Sequence, residues 1–243
     1  IISMLYLIGL GLNENGISLE GREAIKKCKR IYLENYTVKF PYSIKKLEKI
    51  IGKKIIELGR KDVESEMLIK EARKQNIALL VYGCPLFATT HMSLILDAEE
   101  KRIKTKTIYS TSVFDTLAET GLQLYKFGKI TSMPKWEAHF QPESFMEYVE
   151  QNQSIKAHSL ILIDIGLSFS DALEELKIAC KDRNFDLDNL MVCSNMGTEK
   201  SKILYGTSEK LIKKAKKIES PFCFIIPGEM HFLEKEAVER FGV

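Results

Sequence analysis

Residues 77–91 read IALLVYGCPLFATTH, and this stretch indicates the class of fold. Its first five residues are all apolar, which is typical of a strand buried on both faces of a sheet. Gly83 and Pro85 then favour a sharp, rigid turn, because glycine permits a positive φ and proline fixes its own φ. Thr89 or Thr90 can cap a following helix. The stretch therefore predicts a strand, a tight turn and a helix in succession.

The same alternation of strand and helix runs through the first half of the chain. Strands joined by helices connect through right-handed crossovers, so this order predicts a largely parallel sheet. A further helix is expected at residues 112–125, where Ser112 and Asp115 are spaced as a capping box. Strands are predicted at residues 4–10, 31–36, 54–58, 77–81 and 105–109, and helices at residues 18–29, 43–51, 62–75 and 89–102.

The second half of the chain predicts a different kind of sheet. Its strands are short, and the two around Gly197 and Gly206 are closely spaced, which favours antiparallel pairing within a mixed sheet. We therefore expect an α/β protein of two domains, residues 1–111 and residues 112–243. Strands are predicted at residues 129–133, 160–165, 190–195, 202–205 and 222–226, and helices at residues 144–151, 170–181, 208–218 and from about Phe232.

Composition limits the class of protein. A chain of 243 residues with 45% hydrophobic and 28% charged content can bury one large core or two small ones. Its 36 basic and 33 acidic residues are mixed along the chain, so neither a nucleic-acid nor a membrane partner is indicated. Five scattered cysteines without a C-x-x-C pair argue against disulfides and zinc, and favour the cytoplasm. The apolar runs are too short to span a membrane, so we expect a soluble protein.

The loops at the strand ends are the predicted ligand-binding elements. In open α/β sheets, ligands bind beyond the carboxyl ends of the strands, where helix N-termini direct N–H donors at the ligand. Free amides in the loop at residues 110–113 would suit a carboxylate group. The other candidate loops are residues 9–12, 83–91, 163–165, 195–198 and 227–231.

Individual residues in these loops allow more than one interpretation. Gly9 and Gly11 match the first two glycines of a dinucleotide-binding turn, but Glu14 stands where the third would be, so a plain tight turn is favoured. Cys84 has no base near it in the sequence, and a small buried thiol is favoured over a nucleophile. His231 follows a Pro-Gly turn at a strand end and is either a structural residue or an acid or base.

Four segments of the chain form a recognisable set. They are MLYLIGLGL at residues 4–12, GCPL with ATTH at residues 83–91, TGLQLYKFGK at residues 120–129 and PGEMHF at residues 227–232. Together they resemble the diphthine synthase family, which is part of the wider tetrapyrrole methylase group. GLQLYKFGK is the most specific of these motifs, and the resemblance extends from Met4 to about Arg240.

The resemblance implies an S-adenosylmethionine-dependent methyltransferase that acts on elongation factor 2. It implies methylation of the amino group of a modified histidine in diphthamide biosynthesis, with S-adenosylhomocysteine as the second product. It also implies a homodimer of two α/β domains of the tetrapyrrole methylase type, with the cofactor in the cleft between them. From the cysteine pattern, a cytoplasmic protein without a metal site is expected. The family's cofactor contacts fall on Leu12, Cys84, Phe87, Ser112, Val113, Ile163, Met196 and His231.

The expected chemistry explains why no catalytic residue is assigned. Methyl transfer is an in-line displacement that needs alignment more than acid or base help, so proximity in a dehydrated site supplies the main effect. The chain departs from the family pattern at Cys84, where Asp is usual, and at Asn195, where Arg is usual. Because of these departures, an alternative interpretation is a non-catalytic relative that binds the cofactor or the translation factor. A methylase acting on a tetrapyrrole is a further alternative.

Overall fold

The structure is a computed structural model that describes residues 3–243, so Ile1 and Ile2 lie outside it. The chain divides into two compact units, of which the first ends at Asp115 and the second is Thr116–Val243. The predicted boundary between residues 111 and 112 stays a prediction. No helix within residues 3–243 is long and apolar enough to cross a membrane. The same residues contain no group of three or more His, Cys, Asp or Glu side chains placed to hold a metal ion.

The first unit is built on a five-stranded sheet in the order β3-β2-β4-β1-β5, and every strand pair in it is parallel. This confirms the largely parallel sheet predicted from the alternation of strands and helices. The strands are β1 Met4–Gly9, β2 Arg30–Glu34, β3 Ile55–Leu58, β4 Ile77–Val81 and β5 Lys104–Ile108. The helices are α1 Leu19–Lys27, α2 Ile44–Ile51, α3 Arg60–Val63, α4 Met67–Ala72 and α5 Met92–Glu100, and α6 Val113–Thr116 begins in this unit and ends on the first residue of the second.

Apolar side chains cover both faces of the first sheet. Along β1, Leu5 and Leu7 pack into the core on one face, while Tyr6 and Ile8 pack into the core on the other. The continuous apolar run of the central strands follows from this double burial.

The second unit is built on a mixed five-stranded sheet in the order β6-β7-β10-β8-β9. Only β6 and β7 run parallel to each other; β10 is antiparallel to both of its neighbours, and β9 is antiparallel to β8. The mixed sheet was predicted, and it is confirmed. Its strands are β6 Thr131–Met133, β7 Ser159–Ile163, β8 Leu190–Ser194, β9 Lys202–Gly206 and β10 Phe222–Ile226. Its helices are α7 Ser144–Ser154, α8 Phe169–Asp182, α9 Ser208–Ile212 and α10 Phe232–Glu239.

Several predicted helices are too long. In place of a helix at residues 112–125, α6 gives way to a 3-10 turn at Leu117–Thr120, which ends at Gly121 with a φ of +84°. Ala237 lies against this glycine and leaves no room for a Cβ. The helix predicted at residues 62–75 is divided into α3 and α4, and the helix predicted at residues 208–218 ends at Ile212. Tertiary contacts and local turns therefore override the apolar periodicity at these positions.

The cap predicted for α5 is also wrong. The helix begins at Met92, and neither Thr89 nor Thr90 caps it. The Thr89 hydroxyl instead donates to the Pro85 carbonyl at 2.8 Å, and His91 Nδ1 donates to the same oxygen at 3.0 Å. Both side chains therefore brace the turn that precedes the helix.

Candidate active site

The loops after β1 and β4 are joined through two glycines. The N–H of Gly11 donates to the Gly83 carbonyl at 3.3 Å, and the N–H of Gly83 donates back to the Gly11 carbonyl at 3.0 Å. Both glycines have a positive φ, +68° and +70°, which side-chain-bearing residues rarely adopt. The GCP turn is therefore part of a two-loop unit at the carboxyl edge of the first sheet.

The loop after β5 joins the same edge at Gly9. A Cβ on Gly9 would lie 2.6 Å from the Gly83 carbonyl oxygen and 3.0 Å from both Pro85 Cδ and Ser110 Cβ. Ser110 Oγ also donates to the carbonyl of Gly16, in the β1 loop, at 2.9 Å. Three strand-end loops thus meet around a glycine that no larger residue can replace without displacing them.

Five of the eight predicted cofactor contacts lie on these three loops. Leu12 and Ser112 are buried, while Cys84, Phe87 and Val113 are half-buried. The ring of Phe87 stacks on that of Phe114 with centroids 5.7 Å apart. The structure therefore brings together the predicted residues of the first unit, and most of them are apolar.

The capping interaction predicted between Ser112 and Asp115 is present at this edge. Free amides in the loop at residues 110–113 were expected to suit a carboxylate ligand, but the N–H of Ser112 donates to Asp115 Oδ2 at 2.6 Å, and its hydroxyl donates to the same oxygen at 2.9 Å. The capping carboxylate of the chain itself occupies this donor.

In the second unit, Ile163 and Met196 lie at one edge of the sheet. Ile163 ends β7 and Met196 follows the end of β8, and the first residues of the antiparallel β10 lie between these two strand ends. The Ser201 hydroxyl donates to the buried Met196 sulfur at 3.4 Å. Asn195, in the left-handed region with a φ of +49°, bonds the Pro221 carbonyl through its N–H at 2.8 Å.

His231 lies at the opposite edge of that sheet. It follows β10, which runs antiparallel to β7 and β8, so the chain after β10 returns to where β7 begins. A Cβ on Gly228 would lie 2.5 Å from the carbonyl oxygens of Lys156 and Ala157, just before β7. A five-residue strand, about 15 Å long, therefore separates His231 from Ile163 and Met196 within the second unit.

A buried carboxylate organises the His231 edge. Glu234 is 1% exposed, and it accepts hydrogen bonds from the N–H groups of Gln123 at 2.9 Å and His231 at 2.8 Å. His158 Nε2 donates to it at 3.0 Å and Lys126 forms an ion pair with it. Burial acts to raise the pKa of Glu234, but these donors outweigh burial and lower it to about 2.

The same contacts define the protonation of His158. The N–H of Gly228 donates to His158 Nδ1 at 2.9 Å, so Nδ1 carries no proton and Nε2–H is the donor to Glu234. The ring is fully buried, and burial lowers its pKa. His158 is therefore a neutral ring held in one tautomer.

The specific motif GLQLYKFGK is explained by this network. Besides Gln123 and Lys126, the motif contributes Phe127, whose ring lies 5.3 Å from His158, and Gly128, which packs against Asn152 without room for a Cβ. Sequence reasoning used the motif only for its resemblance and did not identify its partners. Glu234 and His158 are 76 residues apart, and no local pattern shows that they are buried together.

Comparisons with known proteins show the family to which the chain belongs. The model of the family Tetrapyrrole (Corrin/Porphyrin) Methylases matches residues 4–212. The diphthine synthase of Methanocaldococcus jannaschii is 37% identical over 97% of this chain and 98% of its own length. The diphthine methyl ester synthase of Schizosaccharomyces pombe is 33% identical over 99% of this chain and 95% of its own.

A solved structure shares the fold over nearly the whole chain. The crystal structure of a diphthine synthase superposes with a TM-score of 0.90 at 30% identity, covering 99% of this chain and 96% of the other. Both units are included in that coverage. The chain is a methyltransferase of the tetrapyrrole methylase family, and within it the chain belongs to the diphthine synthases.

Proposed function

We propose that the chain transfers methyl groups from S-adenosylmethionine to the amino group of the modified histidine of elongation factor 2, in diphthamide biosynthesis. The observation that carries this proposal is the similarity to diphthine synthases along almost the entire chain. A shared methylase fold alone would not distinguish a protein substrate from a tetrapyrrole.

The residues of the strand-end loops fit the proposed cofactor. An adenine ring and a thioether need an apolar lining with a few backbone donors and acceptors. Leu12, Phe87 and Val113 supply apolar side chains, and the glycine turns bring the backbones of the loops close together. The proposed contacts are Leu12, Cys84, Phe87, Ser112 and Val113 in the first unit, and Ile163, Met196 and His231 in the second.

These residues would bind, orient and exclude water. The cofactor supplies an electrophilic methyl group on a sulfonium sulfur. The chain contributes alignment of the acceptor amine with that methyl group, and such alignment can lower a barrier by several kcal/mol. Cys84, where the family usually has Asp, can offer only a weak S–H donor in place of a carboxylate.

A methyl ester is the second candidate product. The relatives in Schizosaccharomyces pombe and Dictyostelium discoideum, 33% and 35% identical, are named diphthine methyl ester synthases. Ester formation places the methyl group on a carboxylate oxygen, which needs no deprotonation at neutral pH. The two products therefore differ in acceptor atom and in their need for a proton acceptor.

The test is transfer of labelled methyl groups to elongation factor 2 that carries the histidine precursor. Incorporation that survives mild alkali supports N-methylation, whereas label released as methanol supports the ester. Elongation factor 2 without the precursor is the matched control, and a relative of known activity controls for the assay. Binding of S-adenosylhomocysteine without any transfer would contradict the proposal and favour the non-catalytic relative.

A further inference from the structure

The carboxyl group of Glu34 is buried at the carboxyl edge of the first sheet without full hydrogen bonding. Glu34 ends β2 and is 0% exposed. Its Oε1 accepts a hydrogen bond from the hydroxyl of Thr37, while Oε2 has no hydrogen-bond partner within residues 3–243. Burial of a carboxylate that is only half satisfied strongly disfavours the charged form. Such an arrangement needs a reason beyond packing.

The charged groups around Glu34 do not neutralise it. Tyr36 is near enough for Glu34 to raise the pKa of its hydroxyl, after the larger effect of burial. The Arg60 guanidinium, on α3, lies over the Tyr36 ring, 5.3 Å from its centroid. The carboxylate of Glu64, the residue after α3, also raises the pKa of Tyr36. For Glu34 itself, burial raises the pKa to about 7, and the Thr37 hydrogen bond opposes that rise. Glu34 therefore changes its charge near neutral pH.

The position of Glu34 relates it to the candidate active site. β2 pairs with β4 so that Leu33 lies beside Leu80, and the two strands end at the same edge. The segment after β2 contacts the β4 loop, because the Phe40 ring meets the Tyr82 ring at 5.5 Å. The Tyr82 hydroxyl in turn donates to the carbonyl of Leu12 at 3.2 Å. In the sheet order, β2 is next to β4, whose loop carries Cys84, and two strands from β1, whose loop carries Leu12.

We propose that Glu34 takes up the proton that the acceptor amine must lose, through the hydroxyl of Thr37. This step rests on the proposed N-methyltransferase function. Thr37 is exposed while its hydroxyl contacts the buried carboxylate, so it joins the surface to Glu34. Glu34 acts through Thr37 and does not itself touch the substrate.

The proton balance of the step is simple. The ammonium N–H proton passes to Thr37 Oγ as the hydroxyl proton of Thr37 moves to the Glu34 carboxylate. An ammonium and a carboxylate become a neutral amine and a carboxylic acid, and the amine keeps its lone pair for attack. The acid then returns its proton to solvent through the same hydroxyl. A group that titrates near the operating pH is suited to such repeated exchange.

The Glu34→Gln variant tests the step, because the amide keeps the size of the side chain and still accepts from Thr37. We expect its single-turnover methyl-transfer rate at pH 7.5 to fall about 10²-fold, as is typical when acid–base help is lost. The wild-type rate should fall as pH drops below about 7, whereas the rate of the variant should follow the ionisation of the acceptor amine itself and fall already at higher pH. Calorimetric binding of S-adenosylhomocysteine should stay within about twofold of wild type, because Glu34 is not a proposed cofactor contact.

A matched pair at Thr37 keeps the inference testable if Glu34→Gln does not fold. Thr37→Val removes the hydroxyl and should reproduce the loss, whereas Thr37→Ser restores a hydroxyl and should recover the wild-type rate and pH profile. Wild-type kinetics in Glu34→Gln, or in Thr37→Val, would overturn the inference while leaving the methyltransferase proposal intact. Absence of transfer by the wild-type chain would overturn both.

Discussion

The two sheets of this protein place the loops after their strands in different ways. In the first unit all strands are parallel, so the loops after β1, β4 and β5 leave from one edge and meet at Gly9. In the second unit β10 is reversed, so the loop after it joins the edge where β7 begins. In the parallel sheet, the carboxyl ends of all strands lie at one edge, so the rule that ligands bind at these ends selects a single edge. In the mixed sheet the carboxyl ends lie at both edges, and the rule does not select between them.

The two units also differ in the surroundings of a buried glutamate. Glu234 in the second unit is surrounded by donors, and its pKa is lowered to about 2 by them. Glu34 in the first unit has one donor, and burial raises its pKa to about 7. We infer that Glu234 stabilises its unit in the ionised form, whereas Glu34 lowers stability at neutral pH and is retained for another reason.

The largest expected effect is the loss of Glu234. Glu234→Ala leaves Lys126, His158 and two backbone N–H groups without their shared acceptor, and removing one partner of a buried pair costs about 3 kcal/mol. Urea unfolding should detect this decrease in the free energy of unfolding. Glu236→Ala, an exposed change on the same helix, should alter stability by less than about 0.5 kcal/mol. Equal effects of the two changes would contradict the role of the network.

Stability against pH should separate the two glutamates. The pKa of Glu234 falls from 4.5 in the unfolded chain to about 2 in the folded protein, so its ionised form stabilises the fold above pH 4.5, and this stability is lost as the pH falls toward 2. Glu234→Gln should therefore be less stable than wild type above pH 4.5, and the difference should disappear as the pH falls toward 2. The pKa of Glu34 rises from 4.5 in the unfolded chain to about 7 in the folded protein, so the stability that its protonated form contributes below pH 4.5 is lost as the pH rises through 7. Glu34→Gln should therefore gain on wild type between those pH values, by up to about 3 kcal/mol.

These curves are measured as the difference in unfolding free energy between each variant and wild type at several pH values. The two differences should change in separate pH ranges. A Glu34→Gln difference that stays flat between pH 4.5 and 7 would mean that Glu34 is not buried in an uncompensated form.

A smaller effect is expected at the point where the three loops of the first sheet meet. Gly9→Ala places a Cβ 2.6 Å from the Gly83 carbonyl oxygen, and overpacking of this kind costs about 2 kcal/mol. Binding of S-adenosylhomocysteine should weaken with it, since three loops must shift. Gly59→Ala is the matched control, because its φ is −79° and the nearest atom to the added Cβ is 4.0 Å away. Similar losses from both substitutions would argue against a built loop junction.

The two edges of the second sheet can be compared by cofactor binding. We expect Met196→Ala to weaken calorimetric binding of S-adenosylhomocysteine about tenfold, because a buried thioether loses its apolar contact. His231→Ala should weaken it less, by about threefold, since its exposed side chain lies at the other edge. His139→Ala, another exposed histidine, serves as control and should have no effect. An equal or larger loss for His231→Ala would show that its edge matters as much for the ligand.

The smallest effect concerns the thiols of both units. Burial raises the pKa of Cys28 to about 11 and of Cys180 to about 12, and a hydrogen bond with Cys223 together with burial raises that of Cys193. Protonated buried thiols react slowly, so iodoacetamide at pH 8 should label the half-buried Cys84 first. Peptide mass spectrometry locates the label. Faster labelling of Cys193 than of Cys84 would contradict the packing of β8 against β10.

Local sequence patterns predicted most of the fold. The apolar run at residues 77–81, followed by the glycine and proline turn, correctly predicted β4 and the loop after it, because a strand and its turn depend on neighbouring residues. Helix lengths were predicted less well. In place of the expected helix at residues 112–125, α6 ends at Thr116 and a 3-10 turn ends at Gly121, which packs against Ala237, a contact that no local pattern shows.

The sequence by itself determined the strand and helix order, the parallel and mixed character of the two sheets, the family, and the loops of the first sheet that carry the candidate site. Only the tertiary structure decided that His231 lies across the second sheet from Met196, that Glu234 binds His158 and Lys126, and that Glu34 is buried with one donor. The physical reason is range: periodicity and turn chemistry act between near neighbours, whereas strand direction and burial depend on residues that are distant in the chain.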